Sequence, residues 1–335
     1  MVTITDIAER AGVAKSTVSN ALTGKKYVSE ELKKKILDIC DEMHYYPNFY
    51  ASRLSGNRTN IIALFLEESE TGVYHSFYTE LLESALKYLS KHGYNLLVSY
   101  NPDKRTKNSF MQKGKAPVDG AIIMAPVVKD ERIMHFESDL IPCVSIGKPD
   151  ESSNISYVDV DNAKLVADAV TLLAVNGYKK IYLINSNENL SISHERSTAF
   201  LKALEKNKLS GGEENIFYSA ESSVEDGKSI SKQIIDRDTA FITANVRLAE
   251  GVYDSADKRG FSIGKDVGVF ALGGKRNDKL TPNLTYATQD YEKLAKMAAK
   301  TLLLQLKCAQ EGGVIQSNVA LIASKICFDT SINKE

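Results

Sequence analysis

Residues 3–22 run TITDIAERAGVAKSTVSNAL, two short apolar patterns at helical spacing separated by one glycine. Ile4, Ile7, Ala8 and Ala11 share one face of a first helix, and Thr3-Ile4-Thr5-Asp6 fits the capping box that opens such a helix. Gly12 is its stop, because glycine takes the left-handed conformation without a Cβ penalty. A second helix fits Lys15–Leu22, with Val18, Ala21 and Leu22 inward and Lys15, Ser16, Ser19 and Asn20 outward. A third follows the cap Ser29, with Glu30 and Glu31 in its first turn and Leu32, Ile36, Ile39, Cys40 and Met43 as its apolar stripe. Two short helices joined through a glycine turn and braced by a third make a helix-turn-helix unit. Small polar and basic side chains on the second helix suit a DNA major groove, where donors must reach base edges. A small three-helix domain with a solvated polar face fits the same spacing.

Tyr46-Pro47-Asn48 predicts the end of the third helix, since proline disfavours helix at the residue before it. Asn48 then caps a short helix over Phe49–Ser55, closed by Gly56. A helix of two turns is marginal alone in water and orders when something packs on it. Val2-Thr3-Ile4-Thr5-Asp6-Ile7-Ala8, Ala11-Gly12-Val13, Thr17-Val18-Ser19, Val28-Ser29 and Tyr46-Pro47-Asn48 with Ala51 and Leu54 form a dense, ordered motif set. It resembles the DNA-binding head of the lactose-repressor (LacI/GalR) family of bacterial transcription regulators. The resemblance implies a homodimer on a near-palindromic operator, with the Lys15–Leu22 helix in the major groove. It also implies a hinge helix at Asn48–Leu54 that forms on DNA and wedges Leu54 into a minor-groove step. The implied DNA contacts are Thr3, Lys15, Ser16, Thr17, Ser19, Asn20, Tyr27, Asn48, Ala51 and Leu54. Two residues depart from the pattern. Ala14 replaces a capping Ser, and Asn20 replaces a frequent Arg, which shifts the favoured base from guanine toward adenine.

The remainder changes character. The chain has 335 residues, with 43% apolar and 25% charged, which allows two or three ordinary globular domains. Its 42 Lys+Arg against 43 Asp+Glu announce neither nucleic acid nor membrane, and residues 1–60 are only slightly basic. Four scattered cysteines without C-x-x-C or histidine at zinc spacing exclude a disulfide scaffold and a structural zinc site. Charges interrupt the N-terminus where a signal peptide needs an apolar core, and no apolar run reaches the ~18 residues of a membrane span. The expected location is the cytoplasm. The expected domains are a head over 1–47, a hinge over 48–59 and a body over 60–335.

In the body, predicted strands at Ile61–Leu66, Asn95–Ser99, Gly120–Met124, Pro142–Ile146, Lys180–Asn185, Ala240–Thr243 and Val267–Leu272 alternate with predicted helices. The helices are Ser76–Lys91, Asn162–Asn176, Ser193–Asn207, Asp226–Asp236 and Asn245–Lys258. Such alternation means parallel sheets covered on both faces, and the strand count fits two doubly wound α/β lobes with a cleft at the strands' carboxyl ends. Val118-Asp119-Gly120-Ala121-Ile122-Ile123, Val158-Asp159-Val160-Asp161-Asn162, Arg196 with Ala199-Phe200, and Pro282-Asn283-Leu284-Thr285 with Gln289 continue the family resemblance. This body is similar to periplasmic sugar-binding proteins, which implies a small-molecule effector.

The implied effector residues are Phe77, Tyr78, Lys148, Arg196, Asn245 and Gln289. For Phe77 and Tyr78 a core position fits equally well. For Arg196 the plain alternative is a surface salt bridge, and for Gln289 a solvated helix start. Ala199 replaces the glycine of R-x-x-G-F, while Val246 and Gly273 stand where the family has carboxylates. With those acceptors gone and Arg196 and Lys148 kept, the expectation is an anionic sugar derivative rather than a neutral sugar. Alternatively Arg196 pairs with an acid such as Asp161. The expected function is a repressor of a carbohydrate-utilisation operon. The alternative is a sensor body that answers to a phosphocarrier protein. No cofactor, metal or catalysis is expected. Gly260-Phe261-Ser262-Ile263-Gly264 matches a hydrolase nucleophile elbow, but a helical pattern precedes it and a strand follows, the reverse of that elbow's order.

Overall fold

The computed structural model describes residues 2–23, 26–43, 45, 58–66, 76–100 and 118–334. The chain divides into two compact units, Met1–Thr59 and Asn60–Glu335.

Among the described residues, the first unit holds three helices: α1 Ile4–Ala11, α2 Lys15–Thr23 and α3 Glu30–Glu42. Asp6 opens α1, its carboxylate accepting from the Thr3 N–H at 2.7 Å and the Thr3 hydroxyl at 2.9 Å. Those bonds hold the Asp6 carboxyl below its ordinary range. Gly12, at φ +71°, closes α1. Lys35 of α3 donates its ammonium to the Ala11 carbonyl at 3.2 Å, tying α3 to the negative end of α1. Ile7, Val18 and Ile36 are fully buried at the centre of the unit. The third helix does not run to Pro47. It ends at Glu42, where the Met43 and Tyr45 N–H groups bond back to Ile39 and Cys40 carbonyls. The predicted hinge helix, with Asn48, Ala51 and Leu54, lies outside the described residues.

The second unit is built on two six-stranded sheets. The first contains β1 Ile61–Leu66, β2 Asn95–Tyr100, β3 Gly120–Met124, β4 Cys143–Ile146, β5 Ser156–Val160 and β11 Val319–Ile322. Its order is β2-β1-β3-β4-β5-β11, all neighbours parallel. The second contains β6 Lys180–Asn185, β7 Ile216–Tyr218, β8 Thr239–Thr243, β9 Val267–Ala271, β10 Thr285–Thr288 and β12 Lys325–Cys327. It repeats the doubly wound order as β7-β6-β8-β9-β10-β12, with only β12 antiparallel.

The helices of this unit are α4 Ser76–Lys91, α5 Glu131–Ser138, α6 Asn162–Val175, α7 Ser191–Lys206, α8 Val224–Ile234, α9 Val246–Lys258 and α10 Tyr291–Gln310. The chain passes between the lobes after β5, after β10 and after β11. α10 therefore follows a strand of the second sheet yet buries Leu294, Ala298 and Leu302 in the core of the first. The sequence pattern placed β1, β2, β3, β4, β6, β8, β9 and five of these helices within a few residues. It passed over β5, β7, β10, β11, β12, α5 and α10.

Candidate functional site

In the first unit, α2 buries Val18 and Ala21 and turns Lys15 and Ser16 to solvent, while Thr17, Ser19 and Asn20 are half-buried beside them. Thr3 is exposed, and the Tyr27 ring is 93% exposed, an unusual position for an aromatic without a partner surface. On α2 these are polar and basic groups able to meet phosphates and base edges.

The start of α2 is weakly capped. The Ala14 carbonyl accepts from Thr17 and Val18, but its methyl offers no acceptor to the free N–H groups of the first turn. Ala14→Ser is expected to stabilise the head by about 1 kcal/mol. That gain raises the melting temperature of the isolated head by ~4–8 °C in calorimetry. No gain would mean that water caps this helix equally well.

In the second unit, the carboxyl ends of both sheets wall a cavity of about 700 Å³. The loops after β3, β4, β6, β7, β8, β9 and β10 all contribute to it. At its base lies a buried polar chain that joins the lobes. Arg196 of α7 donates Nε and Nη2 to Asn162 Oδ1 at 3.1 and 3.0 Å. Asn162 donates Nδ2 to Asp159 Oδ1 at 3.2 Å, and Asp159 Oδ2 accepts the Lys148 N–H at 2.9 Å. Arg196 Nη1 has no partner among the described residues, and the side chain lines the cavity. Burial pulls its pKa down to about 10, against the attraction of Asp159 and Glu195, so it stays charged at neutral pH. Burial pushes the Asp159 carboxyl up, opposed by the N–H groups of Lys148 and Val160 and the charge of Arg196. Burial and the Asp159 charge likewise raise Glu195.

The cavity gathers Lys148, Arg196, Asn245 and Gln289. The Lys148 ammonium makes no hydrogen bond among the described residues. Asn245 is already engaged: Oδ1 caps α9 through the Leu248 N–H at 2.9 Å, and Nδ2 reaches the Ser222 carbonyl at 3.3 Å. Positions 77 and 78 fall in the first turn of α4, but the Phe77 and Tyr78 side chains lie outside the described residues.

Two expectations need correction. Arg196 does not pair with Asp161, which caps α6 through the Lys164 N–H; its direct partner is the neutral Asn162 amide. Nor are the cavity's cations without neighbouring acids. Glu80, Asp159, Glu221 and Glu250 line the same walls as Lys148, Arg196, Arg247 and Lys275. These acids come from separate elements that no local spacing links. Only Asp159 had a sequence signal, lying within Val158–Asn162. Ser262 follows α9 and precedes β9, so the G-x-S-x-G match lacks the strand–turn–helix of a nucleophile elbow. No cluster among the described residues is arranged to hold a metal ion. Among the described residues no helix is long and apolar enough to cross a membrane.

Residues 3–48 match the family described as "Bacterial regulatory proteins, lacI family", and residues 170–326 match "Periplasmic binding protein-like domain". The HTH-type transcriptional regulator MalR of Streptococcus pneumoniae (serotype 4, strain TIGR4) is 30% identical over 258 residues, covering 75% of this chain and 78% of that one. The probable HTH-type transcriptional repressor ExuR of Bacillus subtilis (strain 168) is 26% identical over 310 residues, covering 90% and 91%. A lac repressor dimer bound to operator and the anti-inducer ONPF superposes with a TM-score of 0.76 over 99% of both chains at 20% identity, a likeness of fold.

Proposed function

The chain belongs to the lacI family of bacterial regulatory proteins, and from that premise we propose that it acts as a dimeric repressor whose operator affinity answers to a small effector. Its named relatives are transcription regulators, not enzymes. The carrying observation is that one chain holds both an exposed polar face on α2 and a two-lobed cavity with the buried, partly unpartnered Arg196. The place of action is the DNA of the cytoplasm, and the target genes are those of carbohydrate use. A symmetric helix-turn-helix dimer requires a near-palindrome with half-sites about one helical turn apart. Protection of intergenic fragments from cleavage tests this; protection without a palindrome rejects the dimeric reading.

Within the head, Lys15, Ser16 and Tyr27 hold phosphates, Thr17, Ser19 and Asn20 face bases, and Leu54 enters the minor groove. Asn20→Ala is expected to flatten preference at one base per half-site, worth about 1–3 kcal/mol for a bidentate amide. A binding-site selection on both proteins measures it. Uniform weakening on every operator would instead make Asn20 a phosphate contact.

For the effector, Arg196 supplies a buried donor fork, and Glu80, Glu221 and Glu250 supply acceptors near the walls. That mixture suits a polyhydroxylated molecule, a sugar or an anionic sugar derivative, with an acidic group seated at Arg196. Calorimetric titration with sugar acids, sugar phosphates and the matching neutral sugars separates the two. Tighter binding of the neutral member rejects the anion. Binding of a phosphocarrier protein with no small-molecule affinity at all favours the alternative partner.

A further inference from the structure

The loop between β3 and α5 does more than join two elements of the first lobe. Its residues Pro126–Val128 leave that lobe's sheet and pair with Asn189–Ser191 of the second lobe. The Val128 N–H donates to the Asn189 carbonyl at 3.0 Å, and the Ser191 N–H donates to the Pro126 carbonyl at 2.9 Å. Val127 and Leu190 are opposed in an antiparallel bridge between those two bonds. The lobes thus share hydrogen-bonded backbone in addition to the three covalent passages of the chain.

A loop that crosses a cleft needs a reason to point across it, and here the reason is a buried ion pair. Asp130 and Arg132 are both buried. The guanidinium meets the carboxylate through Nε at 2.9 and 3.2 Å and through Nη2 at 2.6 Å. The same Nη2 caps the end of β3, donating to the carbonyls of Met124 at 3.2 Å and Ala125 at 3.3 Å. Asp130 Oδ2 meanwhile accepts the Val127 N–H at 3.1 Å. One ion pair therefore pins the loop at both ends. Between them, Ala125 at φ +46° and Lys129 at φ +53° occupy the left-handed region that side-chain-bearing residues avoid. Such a conformation persists only where the surroundings over-determine it.

The far end of the contact matters for the cavity. Ser191 is the first residue of α7, and its N–H is one of the helix-start donors that the helix itself cannot satisfy. Pro126 satisfies it from the opposite lobe. Arg196 follows little more than one turn later on the same helix, and Pro126 and Leu190 both line the cavity.

We propose that Pro126–Val128 is an inter-lobe strap, and that Asp130 and Arg132 are positioning residues that hold it across the cleft and thereby seat the start of the Arg196-bearing helix. The strap ties the two lobes on the wall of the proposed effector site, so effector-driven motion must either carry it along or break it. Its regulatory meaning rests on the sensor role proposed above, but its existence is testable without any effector.

The experiment is amide hydrogen exchange on the full chain. In the unaltered protein the Val128 and Ser191 amides are expected to be protected. Arg132→Met keeps much of the volume and removes the donors. It is expected to speed exchange at those two amides at least tenfold, with Ile122 of β3 and Phe241 of β8 unchanged. Arg132→Lys, which keeps the charge but not the fork, is expected to fall between the two. Unchanged exchange at Val128 and Ser191, or equal acceleration in both sheets, overturns the proposal. A second measurement stands independently of how Arg132→Met folds. Directly opposed residues flanked by hydrogen bonds lie within disulfide reach. Val127→Cys/Leu190→Cys is therefore expected to form an intramolecular disulfide with oxidised glutathione, the two thiols reducing the glutathione disulfide to two thiols. Absence of that cross-link in the folded protein overturns the strap.

Discussion

Gly251→Ala is expected to disrupt the second lobe, lowering the stability of the body by about 3 kcal/mol or more. α8 and α9 cross so closely that a Cβ on Gly251 would lie 2.2 Å from the Val224 carbonyl oxygen and 2.4 Å from the Lys228 nitrogen. Both obstacles are backbone, so no side-chain rotation relieves them. The crossing is tight from the other side too, where a Cβ on Gly227 would lie 2.2 Å from the Leu248 carbonyl oxygen. The Ser231 and Ser255 hydroxyls bond across the same seam at 2.8 Å. Alanine is the better helix former by about 1 kcal/mol, a gain too small to offset helices forced apart. A fall of ~6–12 °C in the melting temperature of the body is the expected reading for a domain of this size. Gly273→Ala is the control. Its Cβ would find nothing nearer than 3.7 Å, so the change should stay within about 0.5 kcal/mol. Equal melting temperatures for the two variants would mean that the α8–α9 seam yields easily.

The contrast between those glycines marks what sequence could disclose. The head was legible because its determinants are local. Thr3 and Asp6 are three residues apart, Ser29 precedes its acidic first turn, and each helix carries its own apolar stripe. The interior strands β1, β3, β8 and β9 were legible as apolar runs, and they are almost wholly buried. Short strands escaped: β7, β11 and β12 have three or four residues, and each sits at the edge of its sheet. α10 is a different case, since Leu294, Ala298, Leu302 and Leu306 recur every four residues and carry a local helical signal. The cavity was legible only through motifs. Arg196 stands in R-x-x-A-F, one residue off the motif, and its partner Asn162 lies 34 residues away at the start of α6. The acids that balance Lys148 and Arg196 arrive from separate loops and helices. A count of missing carboxylates at Val246 and Gly273 therefore mistook redistribution for loss.

Arg196→Ala is expected to abolish effector binding while sparing operator binding. The guanidinium is 4% exposed, and it reaches the cavity with Nη1 still free among the described residues. An effector oxygen placed there would receive a charge-assisted bond from a buried guanidinium, where such a bond is strong. Removing the donor leaves the ligand group desolvated without a partner. The loss is about 3–5 kcal/mol, or roughly 150- to 5,000-fold in Kd. Asn162 and Asp159 stay behind in the variant. Asp159 keeps the N–H groups of Lys148 and Val160 at 2.9 and 2.7 Å, so its carboxylate stays satisfied, while Asn162 Oδ1 loses both Arg196 donors. Arg196→Lys separates charge from geometry, because an ammonium on a shorter reach restores the charge but not the fork. It should recover part of the affinity for an anionic sugar derivative and little for a neutral one. Titration calorimetry with the ligand found by the sugar panel reads all three proteins, and thermal melting without ligand checks that each is folded. Full affinity in a folded Arg196→Ala protein would remove Arg196 from the binding site and leave it a buried tie between the lobes.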